Sequence, residues 1–482
     1  MIKLARKTKL FIGLLVCCAF GSKAETRYMD AEVTGYGELE QVVGGQWNCV
    51  DSLVVRGPID ENDFKFLWKC GCYGELKSLN LEFADVKDKK IPDYAFYSDA
   101  FPNSEGKMNL VGITKYILPD DIEEIGEAAF YHDDLEYINI PKSLRKLNIG
   151  VFMYSNFEGM DELFFPAGVE DIPGICFCGV KNLRKLTLPS TLKTISEFAF
   201  RSADVKNVVF PDGLESVGYY AFMFSKIEDV YLPDSCNKLS ERSFAECLYL
   251  KRIRFSKNLE EIPLSLAFSC IRLESVEFPE KLDRICEEAF SACENLKSIR
   301  LPESLTYVGK YAFSNCKSLS SVYLGSNVAL LDDYCFADPA ITEIYCGAIS
   351  VPMCSSDVNT QDMADGMCAT FKYVNADIPV YVRRGMADAY RNAYGWDHFT
   401  NFIEIDDFPE VGGVSAVSDG GARAYAEGGT LRIVSDAGAV EYCVYSIDGR
   451  VAARGCSSNV ALPLDSGTYI VKYSGKSLKI KM

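Results

Sequence analysis

Three sets of residues in this sequence have side chains that could do chemistry. Cys70-Gly71-Cys72 and Cys176-Phe177-Cys178 place two thiols one residue apart. Zinc knuckles use a two-residue gap and often a nearby histidine, and neither is present, so both pairs read as structural. Asp120-Asp121, Glu123-Glu124 and Asp133-Asp134 could attract calcium, but no D-x-D-x-D-G loop surrounds them, so a solvated acidic face is the expectation. His132 and His398 are the only histidines, which makes imidazole acid–base catalysis improbable. There is no G-x-S-x-G, H-E-x-x-H, Walker A or G-x-G-x-x-G pattern, and none of the motif chemistries these serve is expected. The sequence therefore points away from an enzyme, with no catalytic residue, no metal and no cofactor.

Composition narrows the partners. With 50 basic and 68 acidic residues the 482-residue chain carries a formal charge of −18. It lacks the positive surface that phosphate backbones require, so nucleic acid is not an expected partner. A hydrophobic content of 48% is ample for buried cores.

The first residues read as an export signal. Lys3, Arg6, Lys7 and Lys9 precede an apolar run from Leu10 to Phe20, and Ser22-Lys23-Ala24 supplies small residues for cleavage. The run is too short to span a bilayer, which needs about 20 apolar residues, and no later segment is apolar enough to do so. Lipidation at Cys17 or Cys18 fits poorly, because the residue before each is not Gly, Ala or Ser. Cleavage after Ala24 would leave 17 of the 19 cysteines, an odd number that cannot all pair within one chain.

A repeat dominates the rest. Leu183-RKLTLPSTLKTISEFAF, Leu273-ESVEFPEKLDRICEEAF and Leu296-KSIRLPESLTYVGKYAF align as L-x-x-I-x-L-P-x-x-L-x-x-I-x-x-x-A-F. The final Phe recurs at 130, 152, 177, 200, 222, 244, 268, 290, 313 and 336. Each unit is too short to bury its own apolar face, so neighbours must stack into a solenoid. Alternation in L-x-x-I-x-L predicts a short strand with one buried face. Pro ends that strand because it cannot donate to a ladder. The Ala-Phe pair, the Leu and the Ile then form the interior. Cys247, Cys293 and Cys316 follow the repeat Phe by three residues and Cys270 by two, which predicts a file of buried free thiols about 4.8 Å apart.

This unit resembles the BspA-type leucine-rich repeats of bacterial surface proteins. The resemblance covers about 111–346 and implies a repeat solenoid with short parallel strands. Segments on either side resemble the family's caps: strands at Leu53–Arg56 and Leu76–Leu81 before an irregular repeat at 91–96, and, after the array, a strand, a short helix bearing Tyr390, then Trp396, Phe399 and Phe402. Two of Cys346, Cys354 and Cys368 are candidates to pair. A Gly/Ala/Ser-rich linker then leads to Val-Tyr-Ser-Ile-Asp-Gly-Arg and Gly-Thr-Tyr-Ile-Val-Lys, which are similar to the C-terminal sorting domain of the type IX secretion route, a small antiparallel β-sandwich. There Cys443 and Cys456 flank a turn as a possible cross-strand bridge. The expected organisation is signal 1–24, N-terminal cap 25–110, repeats 111–346, C-terminal cap 347–410, and linker plus sorting-type domain 411–482.

The outward strand positions are the expected working surface, on a sheet of about 48 Å if ten coils stack at strand spacing. Tyr137, Phe164, Asp229, Tyr231, Arg252, Arg254, Arg300, Tyr323 and Tyr345 are the candidate binding residues, since aromatics and Arg favour interfaces; packing against one another is the competing reading. The resemblance implies a secreted or outer-surface protein of a Gram-negative bacterium that adheres to a protein, such as host matrix or another cell-surface protein. The alternative is a glycan-binding accessory protein of the envelope. Residues 430–482 would contact secretion machinery.

Overall fold

The structure, a computed structural model, describes residues 27–99, 108–160, 162–183, 185–355, 368–408 and seven strand segments between 422 and 481. The expected signal at 1–24 and most of the linker lie outside these residues. The chain divides into two compact units, Met1–Asp406 and Asp407–Met482.

The first unit is a stack of coils, most of which contribute one longer strand and one two-residue strand. The longer strands run in parallel register, for example Lys185 beside Glu162 and Asn207; the short ones form a second parallel column, for example Ser216 between Thr194 and Lys238. Between the columns lies a file of phenylalanines. Phe177, Phe200, Phe222 and Phe244 stack at 5.1, 4.9 and 5.3 Å with rings within 12° of parallel. Phe96 joins at one end on Phe130 and Phe371 at the other on Phe336. The irregular 91–96 segment is thus a full member of the core.

The turn around each phenylalanine explains the repeat's length. The residues two before and two after it have left-handed backbone: Phe198 (φ 56°) and Ser202 (φ 58°) around Phe200, Glu288 (55°) and Ala292 (58°) around Phe290. This conformation costs about 1–2 kcal/mol for an L-residue. It is held because the chain presents three N–H groups in a row to the next coil: Phe198 to Tyr219, Phe200 to Ala221 and Ser202 to Met223, at 2.7–2.9 Å. Gly218 marks a close approach, where a Cβ would stand 2.8 Å from the Glu197 nitrogen.

One position departs from the sequence pattern. Ser265 (φ 49°) and Ser269 (φ 55°) flank Ala267, not Phe268, and the Phe244 N–H donates to Leu266 as its neighbours do to the residue before a phenylalanine. Ala267 therefore occupies the ring position, Leu266 the small-residue position, and Phe268 is displaced towards the surface. Cys270 then follows its slot by three residues, like Cys247, Cys293 and Cys316. These four thiols are buried and donate to carbonyls of the preceding coil, at Phe222, Phe244, Ala267 and Phe290, over 3.0–3.3 Å. Every described cysteine of the first unit is a free thiol.

The caps follow the same sheet. A strand at Tyr28–Glu32, not read from the sequence, pairs with Ser52–Ile59. The following helix, Glu61–Tyr73, starts in a capping box between Asp60 and Asp63. At the other end strand Pro379–Arg383, helix Ala387–Arg391 and strand Asn401–Ile405 close the array over buried Tyr390, Trp396 and Phe399.

The second unit, Asp407–Met482, holds two antiparallel sheets: Ala422–Glu427, Thr430–Ser435 and Asn459–Pro463 in one, and Val451–Ser457, Val440–Ser446, Thr468–Tyr473 and Lys476–Lys481 in the other. Leu431, Val444 and Val471 are buried. In register, Cys443 faces Arg454 and Cys456 faces Glu441, so the two cysteines are not opposed.

Candidate functional site

Strand alternation sends every second side chain of the longer column outward, and parallel pairing sorts these into two files. One carries Phe164, Thr187 and Val209, then Tyr231, Arg254 and Glu277, then Arg300, Tyr323, Tyr345, Tyr381 and Ile403. The other carries Lys115 and Tyr137, then Glu162, Lys185 and Asn207, then Asp229, Arg252 and Ser275.

The nine candidates divide into two clusters and two separate residues. Asp229, Tyr231, Arg252 and Arg254 meet on adjacent strands. Arg252 grips Asp229 through two hydrogen bonds, Nε to Oδ1 at 2.7 Å and Nη2 to Oδ2 at 3.0 Å, and the Arg254 guanidinium lies 5.4 Å from the Tyr231 ring centre. Arg300, Tyr323 and Tyr345 form the second cluster, extended by Tyr381, which stacks on Tyr345 at 4.5 Å. Tyr137 and Phe164 stand apart from both.

Tyr323 is not displayed as expected. It keeps 8% of its surface because the Arg300 guanidinium covers it at 3.6 Å and its hydroxyl donates to Glu303. Burial, then Glu303, push its phenol above the usual range, so it stays neutral. Tyr345 likewise spends its hydroxyl on Glu343. Much of this face is occupied with its own neighbours, including the Lys185–Glu162 and Lys251–Glu228 pairs between successive coils.

Large apolar side chains are among those that stay open. Phe164 is 61% and Val209 69% exposed, two strands apart in one file, with Tyr231 next at 43%. Val209, Tyr381 and Ile403 were not among the candidates from sequence. Val209 hides in the strand alternation as an ordinary β-branched residue; Tyr381 carries the signal in the alternation of Pro379-Val-Tyr-Val-Arg383, which continues the face into the cap.

The other chemical candidates are absorbed by structure. Asp120 and Asp121 pair with Lys142 and Lys89, and Glu124 with Lys90 and Lys146. Asp133 is buried, not solvated as expected, accepting from Ser98 and Tyr116 at 3.1 Å. Burial raises the Cys70 and Cys72 thiols to about 12, so both stay protonated at neutral pH. Among the described residues no group of three or more His, Cys, Asp or Glu is placed to hold a metal, and no helix is long and apolar enough to cross a membrane.

The coil geometry agrees with comparison to known families. The model of the BspA type leucine rich repeat region matches residues 89–223, 148–268 and 264–348. This chain belongs to that family. No curated protein matches the sequence. Among solved structures, a leucine-rich repeat protein from Bacteroides ovatus is similar at 20% identity, covering 78% of this chain and 88% of that one with a TM-score of 0.54. The pneumococcal vaccine antigen PcpA matches at 18% identity over 74% of this chain and 95% of its own, with a TM-score of 0.42. A leucine-rich repeat protein from Eubacterium ventriosum matches at 16% identity over 67% and 90%, with a TM-score of 0.40. BspA-type repeats thus account for the stacked coils, and the repeat scaffold is compatible with protein binding or adhesion.

Proposed function

We propose that this protein is a non-enzymatic, exported binding protein whose longer-strand face adheres to a protein partner at the cell surface or in the medium. The patch of Phe164, Val209 and Tyr231 carries the reading. Exposed apolar surface on a rigid sheet is costly to keep in water unless a partner covers it. Arg254 and Lys185 at its margin supply the polar rim common at such interfaces. The basic start of the chain and its short apolar run support export and cleavage after Ala24. The similarity of 430–482 to sorting domains supports a route through secretion machinery to the outer surface of a Gram-negative bacterium. The domain limits given above belong to this proposal, as does a β-sandwich arrangement of the two C-terminal sheets.

The test is binding of the purified chain to immobilised extracellular-matrix proteins and to a glycan array, repeated with Val209→Asp and Phe164→Ser. Loss of protein binding in both variants at unchanged melting temperature supports the proposal. Unchanged binding in both overturns it.

One observation favours the glycan reading. On the short-strand column a shallow groove of about 540 Å³ is lined by Thr194, Ser196, Ser216, Ser240 and Tyr219 together with Ile149, Glu197 and Lys238. Hydroxyls beside a half-exposed tyrosine suit a sugar ring. Array signals abolished by Tyr219→Ala, with the strand-face variants silent, would replace the first reading by this one.

A further inference from the structure

The end of the array holds a pair of thiols that the binding surface does not use. Cys354 sits on the last short strand, in register with Leu331, and Cys368 sits at the start of the turn that carries Phe371 into the ring file. A Cβ built on Gly395 would lie 2.7 Å from the Cys354 sulfur and 2.8 Å from the Cys368 sulfur. The two sulfurs share a hydrogen bond. Gly395 has φ +82°, so both its backbone and its missing side chain make room for the pair. The adjoining Trp396 indole donates to the Pro352 carbonyl at 2.9 Å, which fixes the strand before Cys354 against the cap.

The other cysteines nearby are engaged differently. Cys346 meets the Tyr390 hydroxyl at 3.0 Å. Cys335 is buried in the coil interior beside Phe336. Cys354 keeps partial exposure, which gives the pair an opening to solvent. The buried file of Cys247, Cys270, Cys293 and Cys316 has no such opening.

We infer that Cys354 and Cys368 are an oxidation site: an external disulfide converts them to an intramolecular disulfide that fastens the closing cap to the last coil. The oxidant is a small-molecule disulfide or the disulfide of an oxidoreductase. The Cys368 thiolate attacks one sulfur of that disulfide, its S–S bond breaks, and one thiolate leaves. The Cys354 sulfur then loses its proton and attacks Cys368 Sγ, forming the internal S–S bond and expelling the second thiolate. Two protons from the two cysteines end on the two released thiols, and two electrons pass to the oxidant. The order of attack follows from the hydrogen bonds. Donation from Cys354, helped by Thr370, lowers Cys368 to about 6, whereas that same bond and burial raise Cys354.

The experiment exposes the full chain to oxidised glutathione, caps remaining thiols with N-ethylmaleimide, and maps the digest by mass spectrometry. A peptide pair joining Cys354 to Cys368, lost on dithiothreitol, is the expected result. Capping of both cysteines separately, stable glutathione adducts at either one, or a Cys335–Cys368 link overturns the inference. A second measurement is thermal unfolding with and without dithiothreitol. The oxidised chain should lose about a few degrees on reduction, and Cys354→Ser should show no such shift. If Cys354→Ser does not fold, the peptide map of the unmodified chain decides alone.

Discussion

The Ala267 N–H donates to the Ala289 carbonyl at 2.8 Å, the bond that Phe290 makes to Ala312 one coil later. An alanine thus fills a slot that phenylalanine fills in the neighbouring coils. Leu266 is buried beside it, and Phe255 and Phe278 reach the next ring of the file, Phe290, at 6.4 and 5.6 Å.

Restoring the ring alone should therefore harm the fold. Ala267→Phe forces a ring into a fully buried position beside the large, buried Leu266, and overpacking of this kind costs about 1–3 kcal/mol. Adding Leu266→Ala, which recreates the Ala-Phe pair, should recover most of the loss. Urea midpoints of the single and double variants check this; a double variant no more stable than the single one contradicts the slot assignment.

The regular part of the file behaves differently. Phe200 is fully buried and stacked on both sides, so Phe200→Ala should cost about 3–5 kcal/mol. Because each coil touches only its neighbours, the damage should be local. Hydrogen exchange should rise in the coils around 177–222 well before it rises around 313–336. Uniform loss of protection along the array would argue against nearest-neighbour coupling.

Asp133 gives the first unit a pH dependence. Burial, outweighing its hydrogen bonds from Ser98 and Tyr116, pushes its carboxyl well above the ordinary range, with nearby Asp134 adding to the rise. The folded chain therefore holds this proton to higher pH than the unfolded chain does. Its contribution is complete below the unfolded value of about 3.9 and is lost as pH climbs from there through the folded value. Asp133→Asn keeps a group that can bond both hydroxyls but cannot ionise. The variant should gain stability relative to the native chain as pH rises above about 4. Stability-against-pH curves of the two chains that stay parallel above about pH 4 would show that the carboxyl ionises in the fold as it does in the unfolded chain, and would contradict the shift.

The stacking period, strand positions and buried face were legible because each rests on a spacing repeated in coil after coil. Nine of the ten outward strand pairs expected from the alternation fall wholly in observed strands; in the tenth, Tyr137 does and Asn139 lies just past the strand's end. The slip at Phe268 was not legible. Intervals of 22 to 25 residues between phenylalanines leave room for an error of one, and only the left-handed residues at Ser265 and Ser269 fix the slot. The site was read less well than the fold. Sequence gives which side chains point outward but not what they meet there, so Tyr323 read as exposed although Arg300 covers it, and Asp133 read as solvated although Ser98 and Tyr116 enclose it. Val209 passed unnoticed because exposure depends on the length of its neighbours: short Thr187 on one side leaves it standing clear.

The cap should control how the array unfolds. Trp396 is fully buried, packs on Tyr390 and Phe371 at 5.0 Å, and donates to the Pro352 carbonyl. Phe371 is the last ring of the file, so Trp396 is what shields the open end of the core from water. Trp396→Phe retains most of the apolar contact and loses one hydrogen bond, a cost of about 1–2 kcal/mol. Trp396→Ala exposes the terminal ring and should cost about 3–5 kcal/mol. In a stack governed by neighbour contacts, that loss should let coils open from the C-terminal end inwards. Limited proteolysis of Trp396→Ala should cut first between Ala337 and Thr400 while the N-terminal coils stay intact. First cuts near Phe130 would instead mean that the array opens from its other end and that the cap does not guard it.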